Sequence, residues 1–174
     1  MSSPDVDDQG RLLPPEAAPE REMLEAFLDF HRATLLWKVS GLSDEELRRP
    51  GTPSGVSLLG LVKHLADVEQ SWFVEVFAGQ PPEFPLWRED DPGATWRIEP
   101  DETTDRILDV YRRVCDRCRA IVGAASPEDL AVAPRPGAEG LTLRWILVHM
   151  VEETARHNGH ADLIREAIDG AVGE

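Results

Sequence analysis

Four stretches of this sequence place apolar residues three and four positions apart, and none keeps the strict alternation of a β-strand. That spacing puts one apolar stripe on an α-helix, so it restricts the chain to an all-helical fold. The first stretch runs from about Glu20 to Val39, with Leu24, Phe27, Leu28, His31 and Leu35 in the stripe. The second covers about Ser57 to Ala78 (Leu58, Leu61, Leu65, Val68, Trp72, Val76). A third spans about Thr103 to Ala124, with Ile107, Val110, Tyr111, Val114, Cys118 and Ile121 facing inward. The last extends from about Thr142 to Asp169 and stops at Gly170, a residue suited to a helix C-cap. Four amphipathic helices burying their stripes together predict an all-α four-helix bundle.

The connections add detail. Ser43-Asp44-Glu45-Glu46 reads as a capping box opening a short helix that Pro50 stops, and Ser126-Pro127-Glu128-Asp129 reads as a second capped turn. The proline-rich segment Gln80–Pro100 holds Trp87 and Trp96. It is too long for a simple turn and is expected to be a crossover packed on the bundle. Residues 1–18 are polar and proline-bearing and read as a mobile leader, which leaves one domain over residues 19–174.

Charge narrows the function. With 33 Asp and Glu against 18 Lys and Arg, the formal net charge is -15. The arginines are interleaved with acids, so no basic face is available for nucleic-acid phosphates. No apolar run reaches the length of a membrane span, and residues 1–22 lack the pattern of a secretory signal, so a cytoplasmic location is expected. Cys115 and Cys118 form a single C-x-x-C inside a helical pattern. They lack the second pair of a structural zinc site and read as ordinary helix residues.

The candidate chemistry sits on the last helix, in H149-M-V-E-E153-T-A-R-H157-N-G-H160. At about 100° per residue, His149, Glu153, His157 and His160 fall within an arc of about 80°, beside Trp145, Ile146, Leu163 and Ile164. A carboxylate on a face that also buries apolar residues needs a cation or hydrogen-bond donors. Glu153 and His157, four residues apart, can reach one metal ion together. His149 and His160 are about 16 Å apart along the axis, too far to share a site. His160 can pair with His157 and is the rival ligand to Glu153. A bundle site takes its remaining ligand from a facing helix, and His64 beside the second stripe is the natural third. Two imidazoles and a carboxylate suit Zn²⁺, Ni²⁺, Mn²⁺ or Fe²⁺. Against this stands a plain ion pair of Glu153 with an arginine such as Arg32 or Arg112. His31 and His149 read as core histidines, and Glu69 as a support for His157 or an arginine partner.

The segments SLLGLVKHLADVEQSWF and LTLRWILVHMVEETARHNGHADLIREAIDG resemble the DinB-like superfamily. The nearer likeness is to its mini-circle branch, kin to mycothiol-dependent maleylpyruvate isomerase. The resemblance covers about residues 20–170 and implies an up-down-down-up bundle with a long crossover between the second and third helices. It implies a divalent metal, Zn²⁺ or Ni²⁺, held by His64, Glu153 and His157. Many relatives carry His at the Glu153 position, and the isomerase carries Glu there. The implied function is activation of a small thiol such as mycothiol for transfer to a small electrophile, or for isomerisation, as in detoxification. Trp72, Trp145 and either Trp87 or Trp96 are candidates for the pocket walls. A homodimer is a further implication of the likeness. The alternative is a non-catalytic metal-binding or interaction module. A DNA-damage role, suggested by the superfamily's name, is opposed by the charge.

Overall fold

The computed structural model describes residues 5–173, and over these it is helical, with β-pairing confined to isolated bridges. Helix α1 spans Glu20–Lys38, α2 Asp44–Arg48, α3 Leu58–Glu69, α4 Thr104–Gly123 and α5 Leu143–Asp169. A π-helical segment, Gln70–Phe77, continues α3 directly. The ends lie where the side chains supply partners for orphan backbone groups. Ser43 and Glu46 form the reciprocal capping box of α2. The hydroxyls of Ser57 and Thr103 accept the Gly60 and Arg106 amides at the starts of α3 and α4. Gly170, at φ +77°, closes α5 with its amide on the Glu166 carbonyl at 2.9 Å.

The chain divides into two compact units, Leu42–Ile146 and the pair of segments Met1–Gly41 and Leu147–Glu174. In the first, α3 is enclosed on nearly every side. Leu58, Leu59, Leu61, Val62 and Leu65 are fully buried, as a helix apolar all round must be. The single stripe expected from sequence is therefore too narrow for α3. Helix α4 lies against it through Ile107, Val110, Tyr111, Val114, Cys115, Cys118 and Val122. Ile121, expected inward, is only half-buried, and both cysteines are free and buried. The two helices run parallel. Lys63, early in α3, pairs with Glu102 before α4 at 2.8 Å, and Glu69 at the end of α3 meets the Cys118 thiol near the end of α4 at 3.5 Å.

Parallel neighbours need a connection that carries the chain back along the helix, which explains the long crossover. It is firmly held. Gln70 clips Phe84 through both its amide oxygen and its amide nitrogen. The Lys63 ammonium donates to the Arg97 carbonyl at 2.8 Å. Arg113 pairs with Glu83 and lies over the Phe84 ring, and Arg117 donates to Gln80. Ala94 and Thr95, within the crossover, are buried.

In the second unit, α1 and α5 also run parallel. Asn158 donates to the His31 carbonyl at 3.0 Å, Asp162 pairs with Lys38 at 2.5 Å, and Arg165 donates to the Lys38 and Ser40 carbonyls. Arg165 thereby satisfies carbonyls that the end of α1 leaves without helical partners. Leu28, Arg32, Thr34, Leu35 and Lys38 are the buried residues of α1, whereas Phe27 is 42% exposed despite its place in the expected stripe. Ahead of α1, the Arg11 guanidinium is buried over the rings of Phe30 and Trp37 and bonded to Asp7 and Thr34.

Candidate metal centre

The polar arc of α5 separates by depth. Ile146, Met150, Ala161 and Ile164 are buried, while Trp145 and Leu163 are 50% and 69% exposed. The arc expected to be buried throughout is therefore an edge of the buried stripe. His157 stands inside that edge with a side chain 8% exposed, and Glu153 beside it at 12%. His149 lies near Glu152, its Nδ1 3.6 Å from Oε2, and His31 is half-buried against Phe30.

Each nitrogen of His157 faces a different neighbour. Nε2 is 3.1 Å from Glu153 Oε1, and Nδ1 is 3.3 Å from His160 Nδ1. His160 thus occupies the side of the ring away from Glu153, the place of a partner that fixes the tautomer. Burial first, then repulsion from His160 and Arg156, pushes the His157 pKa down to about 4. Its imidazole is uncharged at neutral pH, the form that can donate a lone pair to a metal. The other Glu153 oxygen pairs with Arg156, a same-helix arginine three residues on rather than Arg32 or Arg112. Arg156 is 55% exposed, so this ion pair lies at the solvent edge.

His64 sits half-buried on α3 against the crossover. Its ring stacks on Trp96 with centroids 3.6 Å apart and planes 17° from parallel. Nδ1 faces the Thr95 hydroxyl at 3.5 Å, which turns Nε2 to the opposite side of the ring. The close seat of Trp96 depends on Gly60. A Cβ there would come within 2.5 Å of the Trp96 carbonyl oxygen. Sequence reasoning did not find this pair of supports. The signal was an isolated glycine within a helical apolar run, which marks a close backbone approach.

His64, Glu153 and His157 form a candidate metal-ligating group. Neighbouring donors on one ion with bonds of about 2.0–2.2 Å stand roughly 3–3.5 Å apart, and the Glu153–His157 separation of 3.1 Å meets that. Two neutral imidazoles and one carboxylate leave a dication only partly neutralised, so further coordination positions can take an anionic or polarised ligand. The donor set fits a divalent metal. Glu69, the suggested support, is fully buried, with its carbonyl accepting from Cys118. Of the tryptophans, Trp96 supports His64. Trp72 and Trp145 meet at 5.5 Å between centroids, and Trp87 is 53% exposed on the crossover.

No helix among the described residues is long and apolar enough to cross a membrane. Comparison with curated proteins finds no match. A family model described as Mycothiol-S-transferase matches residues 23–170, which takes in every helix but the first turn of α1 and includes His64, Glu153 and His157. The chain belongs to the mycothiol S-transferase family, within the DinB-like superfamily.

Proposed function

We propose that this protein is a metal-dependent transferase that moves the sulfur of mycothiol, or of a thiol of that type, onto a small electrophile in the cytoplasm. His64, Glu153 and His157 are the proposed ligands of one Zn²⁺ or Ni²⁺ ion. The observation that carries the reading is the candidate metal-ligating group of His64, Glu153 and His157 in a chain of the mycothiol S-transferase family. A divalent ion supplies Lewis acidity that lowers the pKa of an adjacent thiol. The chain's own residues do the rest. Glu153 brings the negative charge, and His157 stays unprotonated because it is buried. Trp96 and Thr95 fix the plane of the His64 ring, and Arg156, at the solvent edge, is placed to swing away when Glu153 takes a stronger cation.

The reading extends to the fold, with residues 19–174 as one DinB-like four-helix bundle of up-down-down-up course. Two observations support that order: α1 runs parallel to α5, and α3 runs parallel to α4. The test is elemental analysis beside a thiol-consumption assay with mycothiol and an electrophile. The wild type is expected to hold about one metal and consume thiol, and His64→Ala, Glu153→Ala and His157→Ala to lose both. Full occupancy in Glu153→Ala would move the third ligand elsewhere, and metal without thiol consumption would make the protein a binding module.

A further inference from the structure

On the side of α3 away from His64, a pocket of about 200 Å³ lies between α3, α4 and the crossover. Ala66 lines it from α3, Ile107 and Val110 from α4, and Phe84, Pro85 and Leu86 from the crossover. At about 100° per residue, its α3 residues Lys63 and Ala66 stand about 100° and 160° round the axis from His64, so the pocket is separate from the proposed metal ligand. Its volume suits one small ring with a substituent, since an apolar cavity of about 150 Å³ takes a benzene. The Phe84 wall is fixed before any ligand arrives. The Arg113 guanidinium covers its ring, 5.0 Å from the centroid, and Gln70 clips its backbone amide and carbonyl.

Three charged side chains, Lys63, Glu102 and Arg106, complete the lining. The buried Lys63 ammonium donates to the Arg97 carbonyl and to Glu102 Oε2, each at 2.8 Å. An ammonium has three N–H groups, so one remains for a ligand. Glu102 is already neutralised, because the same Oε2 also accepts the Glu99 amide at 2.8 Å. Arg106 is exposed in the first turn of α4, and its guanidinium has no partner among the described residues. The positive end of the 20-residue α4 adds to that charge. A wholly apolar ligand would strip water from Arg106 and give nothing in return. A cation would meet Arg106 directly. A carboxylate on a small apolar body suits every wall: the body lies on Phe84, Ile107 and Val110, while the head takes the Arg106 fork and the spare Lys63 N–H.

We propose that this pocket is a second binding site, specific for a small apolar monocarboxylate and separate from the metal centre. The site rests on α3, α4 and the crossover alone and does not depend on the thiol-transfer reading.

The test is an NMR titration of the full-length protein with benzoate and with its neutral isostere benzamide, following the methyl resonances of Ile107 and Val110. Saturable benzoate binding that moves both methyls is expected, with benzamide about tenfold weaker. Arg106→Gln, whose exposed side chain holds no other residue, should weaken benzoate about tenfold and leave benzamide unchanged. Protein stripped of metal by a chelator should bind benzoate as well as the untreated protein does. No saturation, saturation that leaves these methyls unmoved, or equal affinity for acid and amide would overturn the assignment, as would full benzoate affinity in Arg106→Gln. Binding lost together with the metal would place the carboxylate on the metal centre and overturn it too. Arg106-dependent binding by a protein that holds no metal and consumes no thiol would uphold the pocket and sink only the transfer reading.

Discussion

Replacing Gly60 with alanine should destabilise the protein, although alanine is the better helix former by about 1 kcal/mol. The added Cβ would stand 2.5 Å from the Trp96 carbonyl oxygen and 3.2 Å from Ser57 Oγ. Reaching ordinary contact with the carbonyl requires about 0.9 Å of movement. Neither side yields cheaply. Gly60 lies in the first turn of a buried helix, and the Trp96 backbone is flanked by buried Thr95 and by Arg97, whose carbonyl takes the Lys63 ammonium. Overpacking of this kind costs about 2–3 kcal/mol, so the net loss is about 1–2 kcal/mol, or a fall of roughly 2–8 °C in Tm for a chain of this length. Urea denaturation of the metal-free protein measures it without any contribution from ligand binding. Near-UV circular dichroism reports the Trp96–His64 stack and should change as well. Gly159 supplies the control, because a Cβ in this α5 glycine meets nothing within 4 Å. Gly159→Ala should therefore stabilise by up to about 1 kcal/mol. If Gly60→Ala matched it in sign and left the aromatic signal unchanged, the close approach that seats Trp96 on His64 would not exist.

Three further outcomes are expected. Arg156→Gln removes the cation now paired with Glu153, so metal affinity measured by competition with a chelator should hold or rise severalfold; a tenfold loss would show that Arg156 supports the site. Asp67→Asn bears on pH: the folded carboxyl titrates at about 6 and the unfolded one near 3.8, so the folded state keeps a proton that the unfolded chain releases. Stability from this group therefore falls as pH rises from about 4 to 6, and the variant should match wild type below pH 4 and exceed it by about 1–2 kcal/mol above pH 6, after discounting for partial exposure; equal urea midpoints at pH 7.5 would refute this. Arg11→Ala strips a buried guanidinium from Phe30, Trp37, Asp7 and Thr34 and should lower stability by about 1–3 kcal/mol in urea, whereas a change under about 0.3 kcal/mol would mean the segment before α1 adds nothing.

Local rules accounted for most of the helices. Ser43 with Glu46, Ser57 and Thr103 cap where their side-chain chemistry says they should, because capping depends on neighbours within a few residues. The π-helical turn over Gln70–Phe77 escaped, since one extra residue per turn barely alters an apolar spacing already dense with Trp72, Phe73, Val74, Val76 and Phe77. Arg11 escaped for a different reason. A polar, proline-bearing stretch carries no periodicity, and its burial over two rings of α1 depends on contacts about 20 residues away in sequence.

The site divides along the same line. Glu153 and His157 were readable because a four-residue spacing on one helix fixes their separation whatever surrounds them. The stronger step, that Glu153 demands a cation because its face is buried, assumed that Trp145 and Ile164 share one environment. They do not: Ile164 is buried and Trp145 is half exposed, so Glu153 sits at a margin where Arg156 can reach it through solvent. The force on Glu153 is accordingly weaker than full burial would impose, and an arginine at the solvent edge meets it. The stronger pointer to a metal is His157. Its pKa of about 4 means that the fold keeps this imidazole unprotonated beside a carboxylate, where the usual pairing of His with Glu would favour the protonated ring. A buried neutral donor and a carboxylate 3.1 Å from it form a pair that the proposed dication would satisfy better than a proton does.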